Sequence, residues 1–169
     1  MLGLGVTKGS LAGGDVVNPQ KVVIYESDFS TDTDGWDGEP GISTWSAPET
    51  SPSGMTDAFL YSPDFQITGG KTMLLDLSSY TVPSGSVTYY IEWTIENTGG
   101  DKLTNAGLSG GSVNGNSNST TTTQNQQIQV STTITATEPT TFVIRWTDVT
   151  DGSVTGDTYV KDILLYYYS

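Results

Sequence analysis

A chain of 169 residues is about one domain long and can build a single core. With no His and no Cys, the usual bases, thiol nucleophiles, zinc sites and disulfides are excluded. A net charge of −13 makes nucleic acid an unfavourable partner, because such binding begins with cationic neutralisation of phosphates.

No window holds a run of apolar residues long enough for a membrane-spanning helix. Residues 1–20, MLGLGVTKGSLAGGDVVNPQ, hold five glycines and a few aliphatics without periodicity. The segment is too polar for a signal peptide, and synthesis in the cytosol is expected. A glycine-rich backbone loses much entropy on ordering, so this arm is expected to be held by a second protein subunit.

KVVIYES opens a β-domain over 21–169. Next comes ESDFSTDTDGW, four carboxylates in eleven positions. Asp28 and Asp32 read as turn caps, Asp34-Gly35 as a β-turn, and Trp36 as core. The alternative is a hard cation held by loop carboxylates. Asp32-x-Asp34-Gly35 matches only part of an EF-hand loop, without the closing glutamate or helical flanks.

ISTWSA, DAFLYSPDFQI and KTMLLDL are the next strands. In SVTYYIEWTIEN, Tyr89, Ile91, Trp93 and Ile95 share one face, and Thr88, Tyr90, Glu92, Thr94 and Glu96 the other. Residues 108–127, LSGGSVNGNSNSTTTTQNQQ, are of low complexity and form a long loop or a β-rich extension. QIQVSTTITAT alternates through Ile128, Val130, Thr132 and Ile134. TFVIRWTDV places Phe142, Ile144 and Trp146 opposite Arg145 and Thr147.

The last strand, DTYVKDILLYYY, has Ile163, Leu165 and Tyr167 on one face and Val160, Leu164, Tyr166 and Tyr168 on the other. A strand apolar on both faces is central, or covered by a neighbouring chain. These patterns predict an all-β fold, a jelly-roll β-sandwich of about eight antiparallel strands with an extended N-terminal arm.

No phosphate-binding glycine motif follows a strand. One catalytic arrangement is conceivable, a glycosidase pair from Glu92 and Glu96. Their face reads as solvated, where a carboxyl lacks the burial that a general acid needs, so no enzymatic activity is expected.

DFSTDTDGW, FLYSPDFQITGGKTMLLDL and TYVKDILLYYY together resemble the galactose-binding-like and carbohydrate-binding-module jelly rolls. That resemblance implies a structural calcium ion between an early acidic strand and a late Asp-Ile strand. Carried over, its ligands are Glu26 or Asp28 and Asp162, with Asp34 a looser one; no other cofactor is expected. The leader MLGLGVTKGSLAGG is similar to the starts of tailed-bacteriophage virion structural proteins.

This second resemblance implies a non-enzymatic virion component, assembled in the host cytoplasm, that decorates the capsid or forms a head or tail fibre. Met1, Leu2, Leu4, Val6 and Leu11 would anchor it to other virion proteins, as a homo-oligomer, a trimer being what the class implies. The alternative is a glycan-binding module for host or environmental polysaccharide. Trp45, Tyr61 and Tyr90 are then the stacking candidates, since sugars pack on exposed aromatic faces.

Overall fold

A computed structural model describes residues 18–38, 43–63, 67–68, 70–110, 115–116, 119–149 and 153–169. The anchoring residues Met1, Leu2, Leu4, Val6 and Leu11 lie outside them. In chain order the strands are β1 (Lys21–Glu26), β2 (Trp36–Gly38), β3 (Ser43–Glu49), β4 (Ala58–Pro63), β5 (Ile67–Thr68), β6 (Lys71–Asp76) and β7 (Ser86–Asn97). They continue with β8 (Lys102–Ser109), β9 (Gly115–Asn116), β10 (Thr120–Thr122), β11 (Ile128–Thr137), β12 (Thr141–Asp148), β13 (Ser153–Val154) and β14 (Thr158–Tyr168).

Two antiparallel sheets form a sandwich. The front sheet runs β11-β7-β14-β4-β3, and β1 also pairs with β14. β4 meets β14 at residues 158–160 and β1 meets it at 164–168, so the two share successive lengths of one edge. The back sheet runs β10-β8-β12-β6-β2, with β9 added to β8. β5 and β13 pair separately.

The core lies between the sheets. β7 contributes Tyr89, Ile91, Trp93 and Ile95, and β12 contributes Phe142, Ile144 and Trp146, the faces their period of two predicts. Trp36 is buried and meets Phe142 edge-on, with ring centroids 5.1 Å apart. All eight strands read from the sequence are present, as β1, β3, β4, β6, β7, β11, β12 and β14, although DAFLYSPDFQI divides into β4 and β5.

One strand is missing from the sequence reading and two expectations need correction. β8 sits inside the back sheet yet escapes the pattern, because its inward positions begin with the polar Lys102 and Thr104 before Ala106 and Leu108. In β14 the register slips between Lys161 and Leu164, and Asp162 adopts φ 51°. This bulge moves Val160 onto the core face with Ile163 and Leu165, leaving Leu164, Tyr166 and Tyr168 to the other side. The second correction concerns Glu96, which is fully buried rather than solvated. The loop after β3 covers it, with the Ser51 hydroxyl, the Ser53 hydroxyl at 2.5 Å and the Ser53 N–H at 3.2 Å all donating to its carboxylate.

Candidate functional site on the front sheet

The outer face of the front sheet is where the antiparallel registers bring polar and aromatic side chains together. Tyr90 stands opposite Tyr166 on one side and Thr133 on the other; Glu92 stands opposite Leu164 and Ser131. Val23 and Lys21 of β1 continue the same rows beside Tyr166 and Tyr168. A β-sheet presents alternate residues to one face, so a row of tyrosines at 90, 166 and 168 follows directly from strand pairing.

The three rings form a compact cluster. Tyr90 and Tyr166 stack with centroids 5.2 Å apart and planes 14° from parallel. Tyr168 meets both edge-on, at 5.1 and 5.8 Å. The Lys21 ammonium lies 3.9 Å from the centre of the Tyr166 ring, a cation–π contact. Tyr166 therefore has one flat face against Tyr90, an ammonium on its ring, and only 8% of its surface exposed. It supports the cluster, while Tyr168, at 45% exposed, and the half-buried Tyr90 present ring surface to solvent.

The Tyr166 hydroxyl donates to Glu92 at 2.9 Å. Burial first, and the neighbouring Glu92 acceptor next, push its pKa up to about 12. Two depressions of about 380 and 270 Å³ adjoin at Glu92. The first is floored by Tyr90, Tyr166, Ser131 and Thr133, the second by Glu26, Gln129 and Asp162. Ring surface beside hydroxyls, carboxylates and an amide suits a polyhydroxylated ligand, whose C–H face stacks while its hydroxyls hydrogen-bond.

Of the three stacking candidates read from the sequence, only Tyr90 lies on this face. Tyr61 is fully buried, 4.7 Å from Trp45 and 5.6 Å from Trp146, so its ring offers no surface to a ligand. Trp45 is partly buried and packs on the core against Phe59, Tyr61 and Trp146. Tyr166 and Tyr168 are not among the stacking candidates read from the sequence, because the unbroken run LLYYY reads as core or interface on both faces. The signal that finds them is parity with Tyr90 across the β7–β14 ladder.

The four carboxylates expected to hold calcium are not gathered in one place. Asp34 accepts the Tyr25 hydroxyl at 2.6 Å and the Asp28 N–H at 3.1 Å. Glu26 and Asp162 line the front face, and the Asp28 side chain is exposed. Among the described residues no group of three or more acidic side chains is placed to hold a metal ion, so no role is derived through one. Glu92 and Glu96 do not form a catalytic pair either: one serves Tyr166 and the other is sealed under the Ser51–Ser53 loop.

No family model matches the sequence, and no curated protein is similar to it. Solved structures do match the fold. The CBM22-1 xylan-binding domain of Paenibacillus barcinonensis Xyn10C superposes with a TM-score of 0.61 at 10% identity, over 86% of this chain and 94% of that one. The fold is that of a carbohydrate-binding-module-like β-sandwich. The CBM22-1 and GH10 modules of Clostridium thermocellum xylanase 10B, complexed with xylohexaose, give 0.60 at 10% identity over 86% of this chain and 28% of that one. A Family 29 carbohydrate-binding module complexed with cellulohexaose gives 0.50 at 13% identity, over 90% and 92%. These likenesses concern the β-sandwich; nothing in them bears on assembly into a virion.

Proposed function

We propose that the chain is a non-catalytic glycan-binding module whose front sheet takes a segment of a neutral polysaccharide. The observation that carries this reading is the Tyr90–Tyr166–Tyr168 cluster, open on one side and bordered by Glu92, Gln129 and Ser131. Tyr168 and Tyr90 supply stacking surface, Tyr166 fixes their positions, and Glu92 and Gln129 bond to sugar hydroxyls. The carboxylates Glu26, Glu92 and Asp162 on the same face disfavour an acidic sugar there. The shared sandwich of the xylan-binding and cellulohexaose-bound modules supports the choice of ligand class.

Isothermal titration with xylohexaose and cellohexaose is the test. The native protein binds at least one of them, and Tyr168→Ala and Tyr90→Ala each weaken that binding by about tenfold, equivalent to about 1.4 kcal/mol. Full affinity in both variants would remove the tyrosine cluster from the binding surface. Placement of such a module on a virion surface is compatible with glycan binding. Its support is the leader alone, and loss of particle incorporation on deleting residues 1–14 is its test.

A further inference from the structure

The back sheet carries the chain's single arginine. Arg145 lies in β12, the middle strand of that sheet, and is exposed on its outer face. Strand register sets it between Asn105 of β8 and Thr72 of β6. With Lys71, Leu103, Thr147 and Ser119 these residues line a groove of about 260 Å³.

The other described cations are engaged elsewhere. Lys21 covers Tyr166, Lys102 donates to the carbonyls of Gly99 and Thr155, Lys161 donates to the Thr56 carbonyl beside Asp162, and Lys71, which also lines the groove, has a partner of its own. Arg145 differs. Its backbone carbonyl accepts from Thr104, but its guanidinium makes no hydrogen bond or ion pair with any described residue. In a chain with 19 acidic and 6 basic residues, an arginine without a carboxylate partner among the described residues offers a bidentate donor for a ligand.

We propose that this groove is a second glycan site, selective for a uronic acid: the Arg145 fork takes the sugar carboxylate, while Asn105, Thr72 and Thr147 bond to adjacent hydroxyls. The ligand is a glycan with isolated carboxylates. A net charge of −13 repels ligands of dense negative charge, and with Lys71 already engaged the one guanidinium fork of the groove matches a single carboxylate. The front and back faces then differ in sign, neutral sugar on one and acidic sugar on the other.

The experiment compares xylotetraose with xylotriose bearing one 4-O-methylglucuronic acid, by titration calorimetry on the full chain. In a Tyr168→Ala background, which weakens the front face about tenfold, xylotetraose affinity falls by that factor while the affinity of the uronate-bearing sugar falls less. Adding Arg145→Gln lowers uronate affinity by tenfold or more. Arg145→Lys keeps the charge but not the fork, and gives an intermediate loss. The native preference for the uronate-bearing sugar falls as ionic strength rises. Arg145 is exposed, so an unchanged thermal melt verifies that Arg145→Gln folds. Equal affinity for the two sugars, a preference that survives Arg145→Gln, or equal displacement by hexaglutamate would overturn the proposal. Loss of xylotetraose binding in Arg145→Gln alone would overturn it too, by making the back groove the neutral site.

Discussion

Asp34 shows how a single acidic residue can be structural. Asp34-Gly35 form a tight turn, with φ of 51° and 78° and the Trp36 N–H donating to the Thr33 carbonyl at 2.9 Å. Both angles suit an Asp-Gly pair. The Trp36 indole N–H then donates to the Tyr25 hydroxyl at 2.7 Å, and that hydroxyl donates to Asp34. Asp34→Ala leaves the Tyr25 hydroxyl and the Asp28 N–H without this acceptor. It is expected to cost about 1–3 kcal/mol, read as a lowered midpoint in urea unfolding. The turn is legible in the sequence. The link to Tyr25 is not, because it depends on where β1 lies.

Tyrosine ionisation gives a second consequence at the residue scale. Tyr25 is raised above its ordinary value of 10.0 by burial first and by the Asp34 acceptor next, and Tyr166 is raised to about 12 by burial and Glu92. A raised value means that the folded state favours the protonated phenol. This contribution is therefore complete below pH 10 and is lost as pH climbs from about 10 towards about 12. Thermal melts across that window should show stability falling. Tyr166→Phe, which has no phenol to ionise, should show a shallower fall; an identical slope would contradict the assignment.

Among the elements, the close approach of β2 in the back sheet to β3 in the front sheet depends on glycine. A Cβ at Gly38 would overlap the Trp45 indole, which packs on Phe59, Tyr61 and Trp146. Gly38→Ala should displace Trp45, with a loss of about 1–3 kcal/mol and a red shift of tryptophan emission. Period-two patterns located β7, β11 and β12 well, since their inward residues are mostly large and apolar. β8 was hidden because its core-facing positions include a buried lysine whose ammonium donates to the Gly99 and Thr155 carbonyls. The phase change in β14 was hidden as well: alternation cannot reveal a bulge inside a continuously apolar run.

For the whole molecule, composition and alternation established two stacked sheets, and the structural likenesses agree. The proposed binding face was legible only in part. Of the three stacking candidates, Tyr90 lies on the outward parity of β7, whereas Trp45 and Tyr61 serve the core. A sandwich fills its interior with most of its aromatics, so exposure can be assigned only after strands are paired. Once β14 lies beside β7 and β1, three tyrosines and Lys21 converge on one surface.

The central claim, that this surface is where a glycan binds, is met most directly by mapping amide chemical shifts of the isotope-labelled protein as xylohexaose is added. The account predicts perturbations concentrated on the outward residues of β7, β11 and β14, around Tyr90, Glu92, Ser131 and Tyr166. Perturbations confined to the edge loops or the back sheet, or none at all with xylohexaose and cellohexaose alike, would contradict it.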